Sequence, residues 1–145
     1  MFTLWLALTA GTAHAQDCDA KQLTQDIADA SPVAVPRVYL KLAECDEAAA
    51  LKAAPDAMAK VLHGDEGNQA ALAALRVGAQ QTIMDWVDNL EPDHRAQTIL
   101  WLGDQCAEVP AIGDFFVDSY RGEKHEAFMC ERWYRGMCKC RVSNV

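Results

Sequence analysis

The stretch EPDHRAQTILWLGDQCAEVPAIGDFFVD, residues 91–118, carries the pattern of two helices joined by a short break. In its second half, Ile112, Phe115 and Phe116 recur at the spacing that places apolar side chains on one face of a helix. Pro110 stands where this second helix begins, because proline's fixed φ suits a first turn and its missing N–H is not needed there. The stretch therefore predicts a helical hairpin.

The same apolar spacing recurs along the chain. Two sets of four residues fall at i, i+3, i+4 and i+7. They are Val35, Val38, Tyr39 and Leu42, and Ile83, Trp86, Val87 and Leu90. No run of alternating β-branched residues bounded by hairpin turns indicates a strand. Since a single helix cannot keep such a stripe out of water, the pattern predicts an all-α chain whose helices pack on one another.

Prolines and glycines predict where the helices begin and end. Pro36, Pro55 and Pro92 each stand at a position suited to a first helical turn. The segment HGDEGN, residues 63–68, predicts a stop and a restart, with Asn68 as the N-cap of the next helix. His63 is then expected to end a helix, where an imidazolium favours the C-terminal dipole.

The residues of the opening stretch also follow a longer pattern: an acidic turn, an arginine, a small residue, a Leu-x-Leu-Gly helix end and a Val-Pro-Ala helix start. They are Asp93, Arg95, Ala96, Leu100, Leu102, Gly103, Val109, Pro110, Ala111, Ile112 and Asp118. In this pattern the chain resembles HEAT-type repeats of the bacterial, phycobilin-lyase-like class. The resemblance implies a short right-handed α-solenoid of stacked helical hairpins and a role in protein interaction. The alternative is an irregular helical bundle with the same helices.

The N-terminal residues MFTLWLALTAGTAHA combine an apolar run with an Ala13-His14-Ala15 ending of the kind that signal peptidase cuts. We therefore expect a signal peptide over residues 1–15, one helical-repeat domain over residues 16–145, and export to the periplasm or the extracellular space. The apolar run is shorter than the about 20 residues that span a bilayer. The residues before Cys18 do not resemble a lipobox, which makes a lipoprotein the weaker interpretation.

The net charge of −8 disfavours nucleic acid as a partner, because phosphate backbones repel an acidic surface. The charge is uneven, since residues 121–141 hold six of the 13 Lys and Arg residues. This uneven charge distribution either orients a binding partner or belongs to a solvated surface without a binding role. No apolar stretch after the signal peptide is long enough to cross a membrane. The sequence leaves the oligomeric state open.

Six cysteines in a chain predicted to be exported favour disulfides. They are Cys18, Cys45, Cys106, Cys130, Cys138 and Cys140. The simplest scheme pairs Cys18 with Cys45 and distributes two bridges among the other four, whose pairing the sequence leaves open. The disulfides at the two ends of the chain would then hold the terminal helices of a solenoid in place and act as covalent caps.

A C-terminal metal module competes with the disulfides. His125, Cys130, Cys138 and Cys140 offer three thiolates and an imidazole, the donor types of a structural zinc site. Their spacing, H-x4-C-x7-C-x-C, is not a recurrent zinc pattern, and an oxidising compartment favours bridges. We therefore predict no metal and no cofactor.

No residue pattern indicates catalysis. His94 and His125 lie in predicted first turns of helices, positions that are usually solvated, and no nucleophile stands near them at a recurrent spacing. Three aromatic residues are instead predicted as a candidate binding surface, because their segments are apolar on more than one face. They are Trp101, Trp133 and Tyr134.

These features predict a protein-binding or scaffolding module that works through the surface of its stacked helices. The first alternative is an enzyme or ligand carrier with a pocket between helices, on which at least two of four polar side chains would converge. Those side chains are His94, His125, Asp93 and Glu126. The second alternative is the C-terminal metal module, which requires unbridged thiols.

Overall fold

The computed structural model describes residues 18–122 and Arg135, without the side chains of residues 119–122. Within these residues the chain forms seven α-helices and no strand. The helices are α1 (Ala20–Asp29), α2 (Val35–Cys45), α3 (Glu47–Met58), α4 (Asp65–Arg76), α5 (Gln80–Asp88), α6 (Pro92–Asp104) and α7 (Ala111–Gly122). The prediction of an all-α chain is confirmed over this part of the sequence.

Several helix starts follow the predicted signals. α2 has Pro36 in its first turn and α6 begins at Pro92, as expected for proline at a helix start. Pro110 lies directly before α7. The side chain of Asp19 accepts a hydrogen bond from the backbone N–H of Gln22 at 2.9 Å, which satisfies one of the unpaired donors at the start of α1.

The prediction that Pro55 begins a helix is wrong, because Pro55 lies inside α3. This helix begins eight residues earlier, where the carboxylate of Asp46 accepts from the backbone N–H of Ala49 at 2.9 Å. The alanine-rich run over residues 48–54 has high helix propensity and carries the helix as far as the proline. Pro55 therefore stands in the last turn of an existing helix.

The prediction that Asn68 caps a helix is also wrong. α4 begins three residues earlier, and its N-cap is Gly64. Asn68 lies inside the helix with only 5% of its surface exposed, where its Oδ1 accepts a hydrogen bond from Thr98 Oγ1 of α6 at 3.0 Å. The hydrogen bond from Thr98 satisfies the buried amide oxygen of Asn68, so the side chain does not need to cap a helix. It instead links α4 to α6 through the core.

α4 lies at the centre of the described helices and packs against α2, α3, α5, α6 and α7. Eight of its residues are buried, among them four alanines at positions 70, 71, 73 and 74. Small side chains on several faces let neighbouring helices approach closely. The other principal contacts join helices that are adjacent in the chain or two apart, such as α1 with α3 and α5 with α7. The two helices predicted over residues 91–118 are present as α6 and α7, but within the described residues both pack on α4 and α5 and not principally on each other.

Two further features fix helices to each other. Tyr39 of α2 is fully buried, and its hydroxyl donates to the backbone oxygen of Ala50 of α3 at 3.3 Å. Burial raises the pKa of Tyr39 to about 12. After α4, Gly78 takes a φ of 90°, which allows the tight turn into α5 that a side chain would strain.

The predicted bridge between Cys18 and Cys45 is present, with a Cα–Cα distance of 5.6 Å. It ties the start of α1 to the last residue of α2. Cys106 is also disulfide-bonded. The remaining cysteines of the predicted scheme, Cys130, Cys138 and Cys140, lie outside the described residues. Over the described part of the chain, no helix is long and apolar enough to span a membrane.

Thr98→Val is expected to lower the free energy of unfolding by about 1–2 kcal/mol, because it leaves the buried Oδ1 of Asn68 without its donor. Urea denaturation followed by circular dichroism measures the change. Thr24→Val is the matched control, since Thr24 is exposed and its hydroxyl donates only to Ala20 of its own helix. Equal stability of the two variants would show that the buried bond contributes nothing.

Candidate functional site

A groove of about 540 Å³ opens between α3 and α5. Its lining residues are Pro55, Met58, Ala59, Val61, Gln81, Thr82, Asp85, Trp86, Asn89 and Leu90. The apolar members come from the end of α3, the connection after it, and the inward stripe of α5. Apolar walls with a few polar groups are typical of surfaces that bind an apolar side chain or a small molecule.

Trp86 belongs to the helical stripe predicted from the sequence, and the prediction of a core position is confirmed by its 7% exposure. Its indole Nε1 donates to the backbone oxygen of Val61 at 3.1 Å. A buried indole N–H needs such an acceptor. Trp86 therefore forms part of the groove wall and holds the connection between α3 and α4 in place.

The polar rim of this groove is organised around Asp85, the one ionisable residue among the lining side chains that the structure describes. Gln81 Nε2 donates to the carboxylate of Asp85 at 2.8 Å. Asn89 Nδ2 donates to the backbone oxygen of Asp85, also at 2.8 Å. The rim is acidic and its amides are held by hydrogen bonds within α5.

A second groove, of about 470 Å³, lies between α1 and α3. Lys21, Lys52 and Asp56 contribute charge to it, and Ile27 and Ala53 contribute apolar surface. Near this groove, Lys60 Nζ donates to the backbone oxygens of Ile27 and Ala28 at 3.1 and 2.6 Å. These bonds satisfy carbonyls at the C-terminal end of α1 and fix α1 to the segment that follows α3.

α3 forms a ridge between the two grooves. Leu51 is 44% exposed on this helix, and Pro55 is exposed one turn later. Lys52 and Asp56 line one groove while Pro55 and Ala59 line the other, so both flanks of the ridge belong to a groove. We call the two grooves and the ridge between them the grooved face.

The prediction that His63 ends a helix is wrong. α3 ends at Met58, and His63 lies in the connection just before α4. Its imidazole stacks on that of His94 in the first turn of α6, with ring centroids 3.9 Å apart and planes 8° apart. Burial first, and then the neighbouring His94, lower the pKa of His63, while Asp65 acts in the opposite direction.

The predicted binding residues fall in different places. Trp101 is half-buried and packs against the core from α6, and it does not line either groove. Trp133 and Tyr134 lie outside the described residues. The grooved face was not predicted, because it depends on which helices are neighbours in space.

The side chains named for a ligand pocket are not brought together in the described residues. Asp93 and His94 are exposed at the start of α6 and line neither groove. His125 and Glu126 lie outside the described residues. Over residues 18–122 and Arg135, no group of three or more His, Cys, Asp or Glu side chains is arranged to hold a metal ion.

No protein-family model matches the chain, and no curated protein or solved structure shows significant similarity to it.

Proposed function

We propose that the chain is an exported helical-repeat protein that binds another protein through its grooved face. The observation that carries this proposal is the pair of grooves on either side of α3, whose ridge exposes Leu51 and Pro55. Apolar anchors of a partner fit such grooves, and a polar rim around them provides specificity.

The helix contacts support a stacked arrangement of hairpins. In an α-solenoid each helix packs against its neighbour in the same hairpin and against the corresponding helix of the next hairpin. From α1 to α6 the principal contacts join helices one or two apart. Among the described residues α6 and α7, the helices of the stretch that resembles a HEAT repeat, are not a principal contacting pair, and α7 packs on α4 and α5 instead. A short solenoid of this kind presents α1, α3 and α5 side by side, which accounts for two grooves in succession.

Disulfide bonding at Cys18, Cys45 and Cys106 supports export. Bridges of this kind persist in oxidising compartments and are rare in the cytosol. We propose that residues 1–15 are the signal peptide that directs the chain there.

The size of the α3/α5 groove also favours a second candidate function, the binding of a small apolar molecule. Its volume of about 540 Å³ falls within the roughly 300–1,000 Å³ of typical ligand pockets. A protein partner is preferred because the groove continues into an exposed ridge and a second groove, an extent that a small molecule does not need.

Ala59→Arg tests the proposed protein binding. Ala59 is exposed and lines the α3/α5 groove, so an arginine there fills the groove, and a cation at the end of a helix is well tolerated. We expect the native complex, resolved by size from the source compartment, to be lost in this variant. Gln97→Arg, at an exposed position of α6 that lines neither groove, is expected to keep it.

Loss of the complex in both variants, or in neither, would contradict binding at the grooved face. A wild-type protein that elutes only as the isolated chain would contradict the protein-binding function itself. Unchanged circular dichroism spectra of both variants are required for the comparison, because an unfolded variant loses any partner.

A further inference from the structure

The stacked pair of His63 and His94 joins two distant parts of the chain. His63 lies in the connection between α3 and α4, and His94 is the third residue of α6. With ring centroids 3.9 Å apart and planes within 8° of parallel, the rings are in direct face-to-face contact. The pair holds the connection against the start of α6.

The same connection forms a wall of the α3/α5 groove. Val61 is buried and lines the groove, and its backbone oxygen accepts the indole N–H of Trp86. Leu62 follows, and its backbone oxygen lies close to Gly67 of α4. A movement of residues 61–63 therefore changes the groove and the environment of the Trp86 indole together.

The charge on the two imidazoles decides whether the stack is favourable. Neutral rings stack without repulsion, and a single proton is tolerated over the electron-rich face of its neighbour. Two imidazolium ions at this separation repel each other. The pKa of His63 is already lowered by burial and by His94, which agrees with a stack that disfavours added charge.

Other charged groups near the stack act in both directions. Asp65 of α4 favours protonation of His63. Glu66 is engaged with Arg37 of α2 at 2.7 Å. On α6, Asp93 and Arg95 flank His94, and Arg95 Nη2 donates to the backbone oxygens of Asp88 and Leu90.

We propose that the His63–His94 stack is a proton-sensitive latch, which holds the connection closed while the rings are neutral and releases it when both are protonated. Release changes the wall of the α3/α5 groove. The proposal rests on the proposed function only in treating that groove as the binding site. The change in the groove itself is measured without a partner.

An NMR titration of the full exported chain from pH 7.5 to pH 5 tests the latch. The ring protons of both histidines and the indole N–H of Trp86 are followed, the latter assigned by its loss in Trp86→Phe. We expect the Trp86 resonance to shift with the midpoint of the histidine pair. A Trp86 indole resonance whose chemical shift stays constant over this pH range would overturn the proposal. A shift that occurs only together with a loss of helix content would overturn it as well.

Two variants at His94 separate the latch from a general effect of pH. His94→Phe keeps a ring for the stack and removes one charge, so the pH-dependent shift of Trp86 is expected to be lost. His94→Ala removes the stack, and Trp86 is expected to show its low-pH position already at pH 7.5. A wild-type response in His94→Phe would overturn the proposal. These results are independent of whether a protein partner binds the groove.

Discussion

Replacing Cys18 and Cys45 together by alanine is expected to lower the free energy of unfolding by about 3.5 kcal/mol, the loss associated with a disulfide that closes a loop of this length. The two cysteines are 27 residues apart in sequence, and the bridge joins the start of α1 to the end of α2. In the chain-entropy account, its removal gives the unfolded chain more conformations.

The effect is expected to be greatest in α1. This helix buries only Ile27 fully, and its other fixed attachment is the pair of hydrogen bonds from Lys60 at its C-terminal end. Without the bridge, the first turn is held by the partly buried side chains of Ala20 and Leu23, so we expect α1 to open locally before the more deeply buried α4. Amide hydrogen exchange in α1 should therefore accelerate more than in α4.

Urea denaturation of the oxidised wild type and the double variant measures the global loss. Chemical reduction is not an equivalent experiment, because Cys106 is disulfide-bonded as well. A double variant within about 0.5 kcal/mol of the wild type, the usual range of a neutral surface change, would show that packing alone holds α1.

Gly67→Ala is the second change with a large expected effect. Inside a helix, alanine is ordinarily favoured over glycine by roughly 0.5–1 kcal/mol. At Gly67, however, an added Cβ would stand 2.1 Å from the backbone oxygen of Leu62. The clash is with the backbone, which cannot be relieved by a change of rotamer. We expect a net loss of about 2–3 kcal/mol, typical of an overpacked core.

The structural consequence of Gly67→Ala is a displaced connection between α3 and α4. That connection provides the acceptor for Trp86 and carries His63 of the stack. Urea denaturation with Gln69→Ala as the control separates the clash from helix propensity, because Gln69 is an exposed residue of the same helix. A Gly67→Ala chain more stable than the wild type would contradict the close approach of the two segments.

The sequence predicted the helices wherever the local signal and the packing agree. Pro36 and Pro92 stand at real helix starts, and the stripe of Ile83, Trp86 and Val87 is buried as expected. The prediction from Pro55 failed because the alanine-rich helix α3 begins at Glu47 and already includes the position of the proline. Proline at the start of a helix is only a preference, and neighbouring propensity overrides it here.

What the sequence could not predict depends on distant partners. Asn68 is a good N-cap by type, yet its partner is Thr98, which lies 30 residues further along the chain. His63 and His94 meet only because α6 packs against α4. The alanines over residues 70–74 were the one local signal of a helix buried on several sides, since small side chains permit close packing.

The claim that the grooved face binds a protein is tested most directly by site-specific photo-crosslinking in the native compartment. A photoreactive residue is placed at Ala59 or Gln81, which line the α3/α5 groove, or at Lys41 or Gln97, exposed residues of α2 and α6 that line neither groove. We predict one adduct of defined mass from both groove positions and none from the other two. Adducts only from Lys41 and Gln97, equal yields from all four positions, or no adduct from any of them would contradict the account.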